Sequence, residues 1–347
     1  MIDTDHLDVG RLSTWLDEQG LAPGETLETS FISGGTQNEI YEVRRGDFHA
    51  ALRMPPDGAP EQRDDGILRE WRIIEALDGT EVPITPAIAA CEDRSVLGRS
   101  FYLMGFVDGW SPMDTNLEET GGWPAPFDTD LEARRGLAFQ LVEGIALLSR
   151  VDWRARGLEG LGRPDGFHER QVDRWTRFLD RIKGRELPGF DEASAWLREH
   201  RPLDYVPGIM HGDYQFANVM YEHGAPARLA ALVDWEMGTV GDPKLDLGWV
   251  VHPWPEDPDN ESHNFSYVPM AGMPGRSEIL AHYAEVSGRQ VDDIDYYMVL
   301  AKWKLAVVLE QGFQRAGDDP KLQAFGDVVL DLMKGAADLA ESSDYRG

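Results

Sequence analysis

The spacing of apolar and polar residues divides the chain into a strand-rich first part and a helix-rich remainder. Strand-like segments separated by turn residues predict five strands, at 26–33, 39–44, 48–53, 86–91 and 100–107. The turn at 45–47 would join the second and third strands as a hairpin. Two helices are expected beside them, at 8–20 with Asp8 as N-cap, and at 67–77, where apolar residues recur at helical spacing. A polar loop is expected at 55–66.

After residue 109 the apolar residues recur at helical spacing over longer stretches. Helices are predicted at 130–151, 168–182, 191–200 and 243–252, the last with Asp242 as N-cap, and then from about 275 to the end. Short strand-like pieces are expected between 211 and 233. The seam near 107–109 therefore predicts a small antiparallel sheet lobe at 1–107 and a mostly helical lobe at 108–347, which suits a chain of 347 residues.

Charge and cysteine content exclude several classes of protein. With 33 basic and 62 acidic residues the net charge is −29, which argues against a nucleic-acid partner that needs basic surface. The acids are spread along the whole chain, which favours a solubilising surface over a site for a cationic substrate. The single cysteine, Cys91, excludes an intrachain disulfide framework. No stretch approaches 18 apolar residues and the N-terminus lacks the pattern of a signal peptide, so we expect no membrane partner and a cytoplasmic location.

The strongest chemical signal is the string HGDYQFAN at 211–218, followed by LVDWE at 232–236. A kinase catalytic loop has His-x-Asp, an Asn five residues after the Asp, and a second metal-binding Asp at the end of the next strand. Phosphoryl transfer needs a carboxylate that orients the acceptor hydroxyl, and Mg²⁺ prefers oxygen ligands. The pattern predicts Asp213 as the catalytic residue and Asn218 and Asp234 as Mg²⁺ ligands, joined by a short hairpin. His211 is expected to brace the loop backbone.

A third string, GDPKLDL at 241–247, completes a family pattern. With HGD-x4-N and DWE it resembles the aminoglycoside phosphotransferase superfamily of kinase-like enzymes. The strings ALR at 51–53, PP at 55–56 and RQV-x2-W at 170–175 look like the branch related to the kinase-like domain fused to acyl-CoA dehydrogenases. The resemblance covers about residues 24–340. It implies a protein-kinase-like α+β fold of two lobes and marks Asp242 and Asp246 as acids that stabilise the catalytic loop.

In the sheet lobe, two sets of residues are candidates for binding the phosphates of ATP or GTP. Gly34 and Gly35, within the Ser33–Thr36 turn, allow close backbone approach, although an ordinary hairpin turn has the same composition. Arg53 stands on the third strand where protein kinases place a Lys, and Glu70 matches its helix partner. Arginine can bind a phosphate or a carboxylate with a planar fork. The alternative is that Arg53 is an ordinary surface residue of the strand.

Further segments carry weaker signals. Residues 104–107 resemble the kinase hinge, where Met104 and Phe106 would line the adenine site, although a buried strand has the same pattern. Ser149 stands where relatives usually carry His. Glu236 would face either substrate or a second ion. The loop at 253–275 is either a lid over the substrate, with apolar anchors such as Trp254, or a family-specific insertion.

These observations predict transfer of the γ-phosphoryl group of ATP, or of GTP, to a hydroxyl of a small molecule. The acceptor is an aminoglycoside-like compound or another hydroxylated metabolite, with a hydroxylated acyl-CoA as an alternative. A nucleotide-binding module without turnover is disfavoured by the intact Asp213, Asn218 and Asp234. A protein kinase is disfavoured because 241–243 follow Asp234 too closely for the usual activation segment. The oligomeric state is not readable from the sequence.

Overall fold

A five-stranded antiparallel sheet forms the first part of the molecule. A computed structural model describes residues 7–34, 38–113, 122–182, 184–260 and 268–347. The strands pair in the order β1-β2-β3-β5-β4. Their bounds are β1 Leu27–Gly34, β2 Glu39–Arg45, β3 Phe48–Met54, β4 Ala87–Cys91 and β5 Phe101–Gly105. All five predicted strands and the β2–β3 hairpin are confirmed, with ends shifted by two residues or fewer.

The two faces of this sheet pack against different helices. On β3, Leu52 and Met54 join an apolar cluster with Leu12 and Leu16 of α1 (Val9–Glu18). Because side chains alternate along a strand, Arg53 points to the opposite face, where α2 (Gln62–Leu77) lies. The alternation of side chains along β3 therefore places Arg53 on the face of the sheet that packs against α2.

Two helix starts show where sequence patterns are informative and where they are not. Asp8 caps α1 as predicted, accepting a hydrogen bond of 3.0 Å from the backbone N–H of Arg11. The prediction for α2 was wrong at its start, because the helix begins at Gln62 rather than at 67. Its first turn is polar and carries Asp64 and Asp65, so it has no apolar periodicity but complements the helix dipole.

Helices form most of the second part. Their bounds are α3 Arg94–Leu97 (within the sheet lobe), α4 Leu131–Arg150, α5 Phe167–Ile182, α6 Phe190–Glu199, α7 Lys244–Val251, α8 Arg276–Ser287, α9 Ile294–Gln314, α10 Pro320–Gln323 and α11 Phe325–Ser342. The N-cap of α7 is Pro243, one residue after the predicted Asp242. The Asp242 carboxylate nevertheless accepts a 3.1 Å hydrogen bond from the N–H of Lys244.

Helix α9 is buried on nearly all sides, so it is the central helix of this part.

Two small antiparallel pairs carry the chemical motifs. β6 (Gly208–Met210) pairs with β9 (Thr239–Gly241), and β7 (Val219–Tyr221) pairs with β8 (Leu229–Leu232). The HGDYQFAN string follows β6, and Asp234 follows β8. The predicted hairpin between Asn218 and Asp234 is confirmed, and so is the mixed α+β class.

The lobes are joined by backbone and side-chain contacts. Leu232 of the helical part donates its N–H to the carbonyl of Pro83 in the sheet lobe at 2.9 Å. Just after the seam, within the helical part, Trp110 and Tyr221 exchange two backbone hydrogen bonds of 3.0 and 2.8 Å. Apolar residues of α2, among them Ile73, share one core cluster with Trp235 and the helical part. Within the described ranges no helix is both long and apolar enough to cross a membrane.

Candidate active site

The backbone ahead of Asp213 is fixed from two sides. His211 N–H donates to Asp246 Oδ2 at 2.6 Å, and Gly212 N–H donates to Asp246 Oδ1 at 2.9 Å. The buried His211 ring lies with Nε2 2.8 Å from the carbonyl oxygen of Val233, and burial lowers the pKa of this imidazole. Gly212 has φ +85°, and a Cβ there would lie 2.5 Å from the Met237 carbonyl oxygen, so only glycine fits. His211 thus occupies the bracing position expected of it.

The carboxylate of Asp213 accepts hydrogen bonds from two neighbours. Gln215 Nε2 donates to Oδ1 at 3.0 Å, and Asn218 Nδ2 donates to Oδ2 at 3.0 Å. The same amide nitrogen also donates to the Asp213 carbonyl at 2.7 Å. With its nitrogen engaged on Asp213, the amide of Asn218 keeps its oxygen as an acceptor for a cation.

Asp234 stands at the other end of the β7–β8 hairpin in a rare backbone conformation. Its φ of +64° and ψ of +67° lie in the left-handed region, which non-glycine residues seldom adopt and which often marks a functional position. Val233 N–H donates to the Asn218 carbonyl at 3.0 Å, so the two predicted metal ligands leave adjacent chain segments.

Arg53 links the sheet to both Asp234 and α2. Its Nη2 lies 2.7 Å from Asp234 Oδ1, and its Nε lies 2.9 Å from Glu70 Oε2. Tyr102 OH donates to Glu70 Oε2 at 3.1 Å, and Asn38 Nδ2 donates to Oε1 at 3.4 Å. Arg53 is 7% exposed, so the alternative of an ordinary surface residue is wrong. Burial raises the pKa of Glu70 to about 6, opposed by the nearby Arg53 guanidinium.

The predicted phosphate turn is described only in part. Ser33 is exposed and pairs with Ile40, and Gly34 pairs with Glu39 at the end of β1. Gly35 and Thr36 lie outside the described residues. A phosphate-binding role for this turn therefore stays a prediction.

The predicted hinge lies on the face of the sheet that carries Arg53. Met104 pairs with Ala51 across β3 and β5, and Ala51 shares the face of Arg53. Phe106 stacks on His49 of the same strand, with ring centroids 4.0 Å apart. Contacts of Met104 and Phe106 with adenine stay a prediction.

Beyond Asp213 opens a cavity of about 1020 Å³. Most of its lining is apolar and comes from α7, α9, α11 and the loop after α7: Met113, Leu141, Phe216, Trp249, Val250, Pro253, Trp254, Pro255, Pro258, Val268, Met270, Ala271, Leu305, Leu309, Phe325, Val328 and Leu332. Trp254 and Met270 bring the 253–275 loop to the cavity, whereas Phe265 and Tyr267 lie outside the described residues. Whether that loop acts as a lid stays a prediction.

Polar groups in the cavity are few and two of them are basic. Lys302 and His252 line it, and burial lowers the pKa of both, that of His252 to about 3. The His252 Nδ1 atom is buried and has no hydrogen-bond partner among the described residues. The remaining polar lining comes from Asp213, Gln215, Asp259, Asn260 and Asp331.

Glu236 is half-buried near the carboxylates of Asp234 and Asp213. Burial raises its pKa, and the negative charge of Asp234 adds to that effect. The carboxyl also feels the charges of Arg53 and Asp213, so it belongs to the same electrostatic cluster.

Sequence reasoning missed several residues of the site. Tyr102 pairs with Arg53 in the β3–β5 register, which no local pattern reveals. Gln215 was readable as a neighbour of Asp213 inside the motif. Lys302 and His252 belong to helical segments without a motif, and no sequence signal distinguished them.

A family comparison decides the broader assignment. The model of the phosphotransferase enzyme family matches residues 28–265, more than half of the chain. The chain belongs to this family. The resemblance drawn from the three motifs is therefore confirmed, and the protein is a kinase-like phosphotransferase.

The curated relatives are longer proteins. Acyl-CoA dehydrogenase family member 11 of Gallus gallus is 27% identical over 300 residues, covering 84% of this chain and 37% of that protein. Acyl-CoA dehydrogenase family member 10 of Mus musculus is 25% identical over 339 residues, covering 95% and 30%. This chain therefore spans about a third of the length of these relatives.

Solved structures support the predicted two-lobed fold. A Ralstonia eutropha JMP134 protein, classed provisionally as an aminoglycoside phosphotransferase, superposes with a TM-score of 0.80 at 25% identity, covering 96% of this chain and 98% of that one. A macrolide 2′-phosphotransferase type I gives 0.62 at 17% identity, covering 94% and 98%. A thermostable aminoglycoside phosphotransferase mutant bound to ADP and hygromycin B gives 0.56 at 13%, covering 95% and 98%. The last two show the fold alone.

Proposed function

We propose that this phosphotransferase moves the γ-phosphoryl group of ATP to a hydroxyl of a small molecule. The observation that carries the proposal is the placement of Asp213, whose carboxylate lines the cavity and is hydrogen-bonded to Asn218. A hydroxyl entering the cavity would meet this carboxylate, which orients the oxygen and accepts its proton as the bond to phosphorus forms. ATP is chosen because a solved structure of the same fold contains ADP, and GTP remains an alternative nucleotide.

Asn218 and Asp234 fit a magnesium ion by their chemistry. Both offer hard oxygen donors on adjacent segments, and the Asn218 oxygen is the free end of an amide whose nitrogen is engaged. Among the described residues no group of three or more His, Cys, Asp or Glu side chains could hold a metal, so this proposal rests on one amide and one carboxylate. When bound, magnesium would neutralise charge on the β- and γ-phosphates.

Arg53 supplies the protein's own positive charge on the nucleotide side. Its guanidinium is held by Glu70 and Asp234, so a phosphate that approaches can replace one carboxylate as its partner. Bound in this way, Arg53 positions the nucleotide and stabilises charge on the transferred group.

The cavity favours an acceptor with an apolar body. Polycationic aminoglycosides would need many carboxylates, whereas this lining is mostly apolar, and its three carboxylates, Asp213, Asp259 and Asp331, share the cavity with Lys302. The first candidate acceptor is therefore a small hydroxylated molecule with an apolar body. A hydroxylated acyl-CoA is the second candidate, favoured by the mostly apolar cavity of about 1020 Å³ and by relatives named as acyl-CoA dehydrogenase family members. Either acceptor would present its hydroxyl to Asp213.

The test is a phosphotransfer screen. The protein, ATP and Mg²⁺ are incubated with aminoglycosides, macrolides, choline, hydroxylated fatty acids and hydroxylated acyl-CoAs, and phosphorylated products are detected by mass spectrometry. Asp213→Asn should lower kcat by about 10²–10⁴-fold while the ATP Kd stays within about threefold, because general-base catalysis acts in the transition state.

Asp331→Asn makes the same chemical change at another carboxylate of the cavity and should keep kcat near that of the wild type. An Asp213→Asn enzyme that retains full kcat on the best acceptor would refute the mechanism. Product from no acceptor class, together with absent ATP binding, would refute the proposed function.

A further inference from the structure

Lys302 and His252 bring two basic side chains to a cavity wall that is mostly apolar. Lys302 lies on α9, and His252 is the C-cap residue of α7. Both line the cavity that opens beyond Asp213. His252 is 8% exposed, and its Nδ1 atom has no hydrogen-bond partner among the described residues. Over the same part of the chain the Lys302 ammonium makes neither a hydrogen bond nor an ion pair.

Helices α7 and α9 lie side by side and run in the same direction. Lys244, in the first turn of α7, pairs with Asp293, the N-cap residue of α9. One turn later the backbones approach closely, since a Cβ on Gly248 would lie 2.6 Å from the Cβ of Tyr297. The two helices therefore keep the same register as they leave the start of α7.

This register brings Lys302 and His252 to one level of the two helices. His252 stands about 6 Å beyond Gly248 along α7, and Lys302 about 7.5 Å beyond Tyr297 along α9. The Lys302 side chain lies against α11, where a Cβ on Gly335 would be 3.8 Å from Nζ. The two basic groups thus lie where α7, α9 and α11 border the cavity.

The carboxylates of the cavity are engaged elsewhere. Asp259 Oδ1 accepts a hydrogen bond of 3.1 Å from the N–H of Gly272. Asp331 acts on the pKa of Lys334, an exposed lysine of the same helix. Asp213 holds the hydrogen bonds of the catalytic loop. None of the three lies within ion-pair distance of the Lys302 ammonium in the described structure.

The neighbouring charge that Lys302 feels is positive. Burial lowers its pKa and Arg276 adds to that effect, although Arg276 Nε itself pairs with Glu256 Oε1 at 2.9 Å. Lys302 in turn helps burial to lower the pKa of His252, so the imidazole is neutral near pH 7 and one nitrogen carries an N–H. Because buried polar groups almost always have partners, an anion in the cavity would satisfy the ammonium and the imidazole together.

We propose that Lys302 and His252 form an anion subsite of the cavity, which selects acceptors whose apolar body carries a carboxylate or a phosphate. This inference rests on the proposed function for the role of the ligand as an acceptor, but binding of the ligand does not require turnover. The apolar wall would hold the body of the acceptor, and its hydroxyl would meet Asp213. Cationic acceptors would be rejected by like charge.

The first experiment measures ligand binding without nucleotide, by isothermal titration calorimetry. The probes are ω-hydroxydecanoate and α,ω-decanediol, which share a chain and a terminal hydroxyl and differ in the anionic group. Lys302→Met keeps similar length and removes the charge. It should raise the Kd of the acid by about tenfold, the loss expected for a charge-assisted hydrogen bond, without weakening binding of the diol. His252→Phe keeps a ring and should raise the Kd of the acid by about threefold.

Lys334→Met is the matched control. Lys334 is an exposed lysine of α11 that pairs with Asp338 at 2.6 Å and does not line the cavity. Its removal should leave the Kd of every probe at the wild-type value. If Lys302→Met yields no folded protein, Lys302→Gln replaces it in every measurement.

Two thioesters identify the source of the anionic group. The CoA thioester of the same hydroxy acid carries phosphates and no carboxylate, and its pantetheine thioester carries neither. A Kd that Lys302→Met raises for the free acid assigns the subsite to a carboxylate, whereas one raised for the CoA thioester assigns it to a phosphate. Unchanged Kd values for both anionic probes in Lys302→Met, or a wild type that binds neither, would overturn the proposal.

Kinetics separate this inference from the proposed function. With an anionic acceptor from the screen, Lys302→Met should raise the acceptor KM by about tenfold and leave kcat within about threefold, because the lost contact is equal in ground and transition states. Binding that depends on Lys302, without phosphotransfer to any acceptor, would support the subsite and refute the function. Phosphotransfer together with unchanged anion binding in Lys302→Met would refute the subsite and leave the function standing.

Discussion

The two sides of Asp213 differ in the chemistry of their side chains: one is charged and the other is mostly apolar. On the side of the sheet, Arg53, Glu70 and Asp234 form a charged cluster joined by distances of 2.9 and 2.7 Å. On the other side, a cavity of about 1020 Å³ is lined mostly by apolar side chains of the helical part. Buried charges must find partners, which fixes the first side tightly, whereas an apolar wall can change residue by residue at small cost. Under the proposed function, transfer chemistry and acceptor choice would therefore depend on different parts of the chain.

Among the changes that test this comparison, the largest effect is expected from removing the cation of the charged side. Arg53→Ala should lower kcat/KM for ATP by about 10²-fold, since it removes a positioned cation and leaves Glu70 beside Asp234 without a counter-charge. Arg53→Lys should retain part of the activity, because it restores the charge but not the planar fork. Steady-state phosphotransfer and ATP titration calorimetry measure both. Arg44→Ala, an exposed arginine of the neighbouring strand, is the control. Full activity in Arg53→Ala would remove this residue from the site.

A second prediction concerns the protonation of Glu70. Its pKa rises from an ordinary 4.5 to about 6 in the folded protein because it is buried. The folded state therefore holds the proton more tightly, so the stabilisation is complete below pH 4.5 and is lost as pH rises through 6. Between pH 4.5 and 7 the free energy of unfolding of the wild type should fall by about 2 kcal/mol relative to that of Glu70→Gln.

Denaturant unfolding at several pH values measures this difference. Glu75→Gln, an exposed glutamate on the same helix, should follow the wild-type curve. Curves for the wild type and Glu70→Gln that run parallel across this range would contradict the assignment.

The smallest effect is expected from a polar substitution on the apolar side, in the wall of the cavity. Leu305→Gln puts an amide into the cavity wall and should raise the KM for an apolar acceptor by about tenfold, leaving the ATP Kd unchanged. Val308→Gln makes a similar change on an exposed position of the same helix and should have no effect. Steady-state kinetics with the best acceptor from the screen measures the difference. An ATP Kd that changes together with the acceptor KM would show that the two sides are not independent.

The sheet was predictable because its signals are local. Turn residues and strand-like segments gave five strands whose ends differ from the structure by two residues or fewer. The start of α2 was not predictable, because its first turn is polar and the residues that anchor the helix, such as Ile73, lie further along. Asp242 was predicted as the N-cap of α7, which is Pro243. A carboxylate that bonds the first helical N–H gives the same sequence signal whether it stands at the cap or just before it.

The candidate site shows the same difference between residues with a local sequence signal and residues without one. Asp213, Asn218 and Asp234 were readable because a loop and one hairpin bring them together, and Arg53 with Glu70 was readable from the family resemblance. Tyr102 reaches Glu70 only through the strand register, and Lys302 reaches the cavity only through the packing of α9. Contacts of that kind depend on the tertiary structure and leave no local pattern.

The shared core of α2 and the helical part determines how this molecule can be dissected. Ile67, Ile73, Ile74 and Leu77 are buried with Trp235 and the helices, not with the outer face of the sheet. A recombinant fragment that stops after β5 would leave this apolar face in water and would tend to aggregate. Split-protein or domain-swap engineering should therefore keep α2 with the helical part, even though the chain order places α2 between β3 and β4.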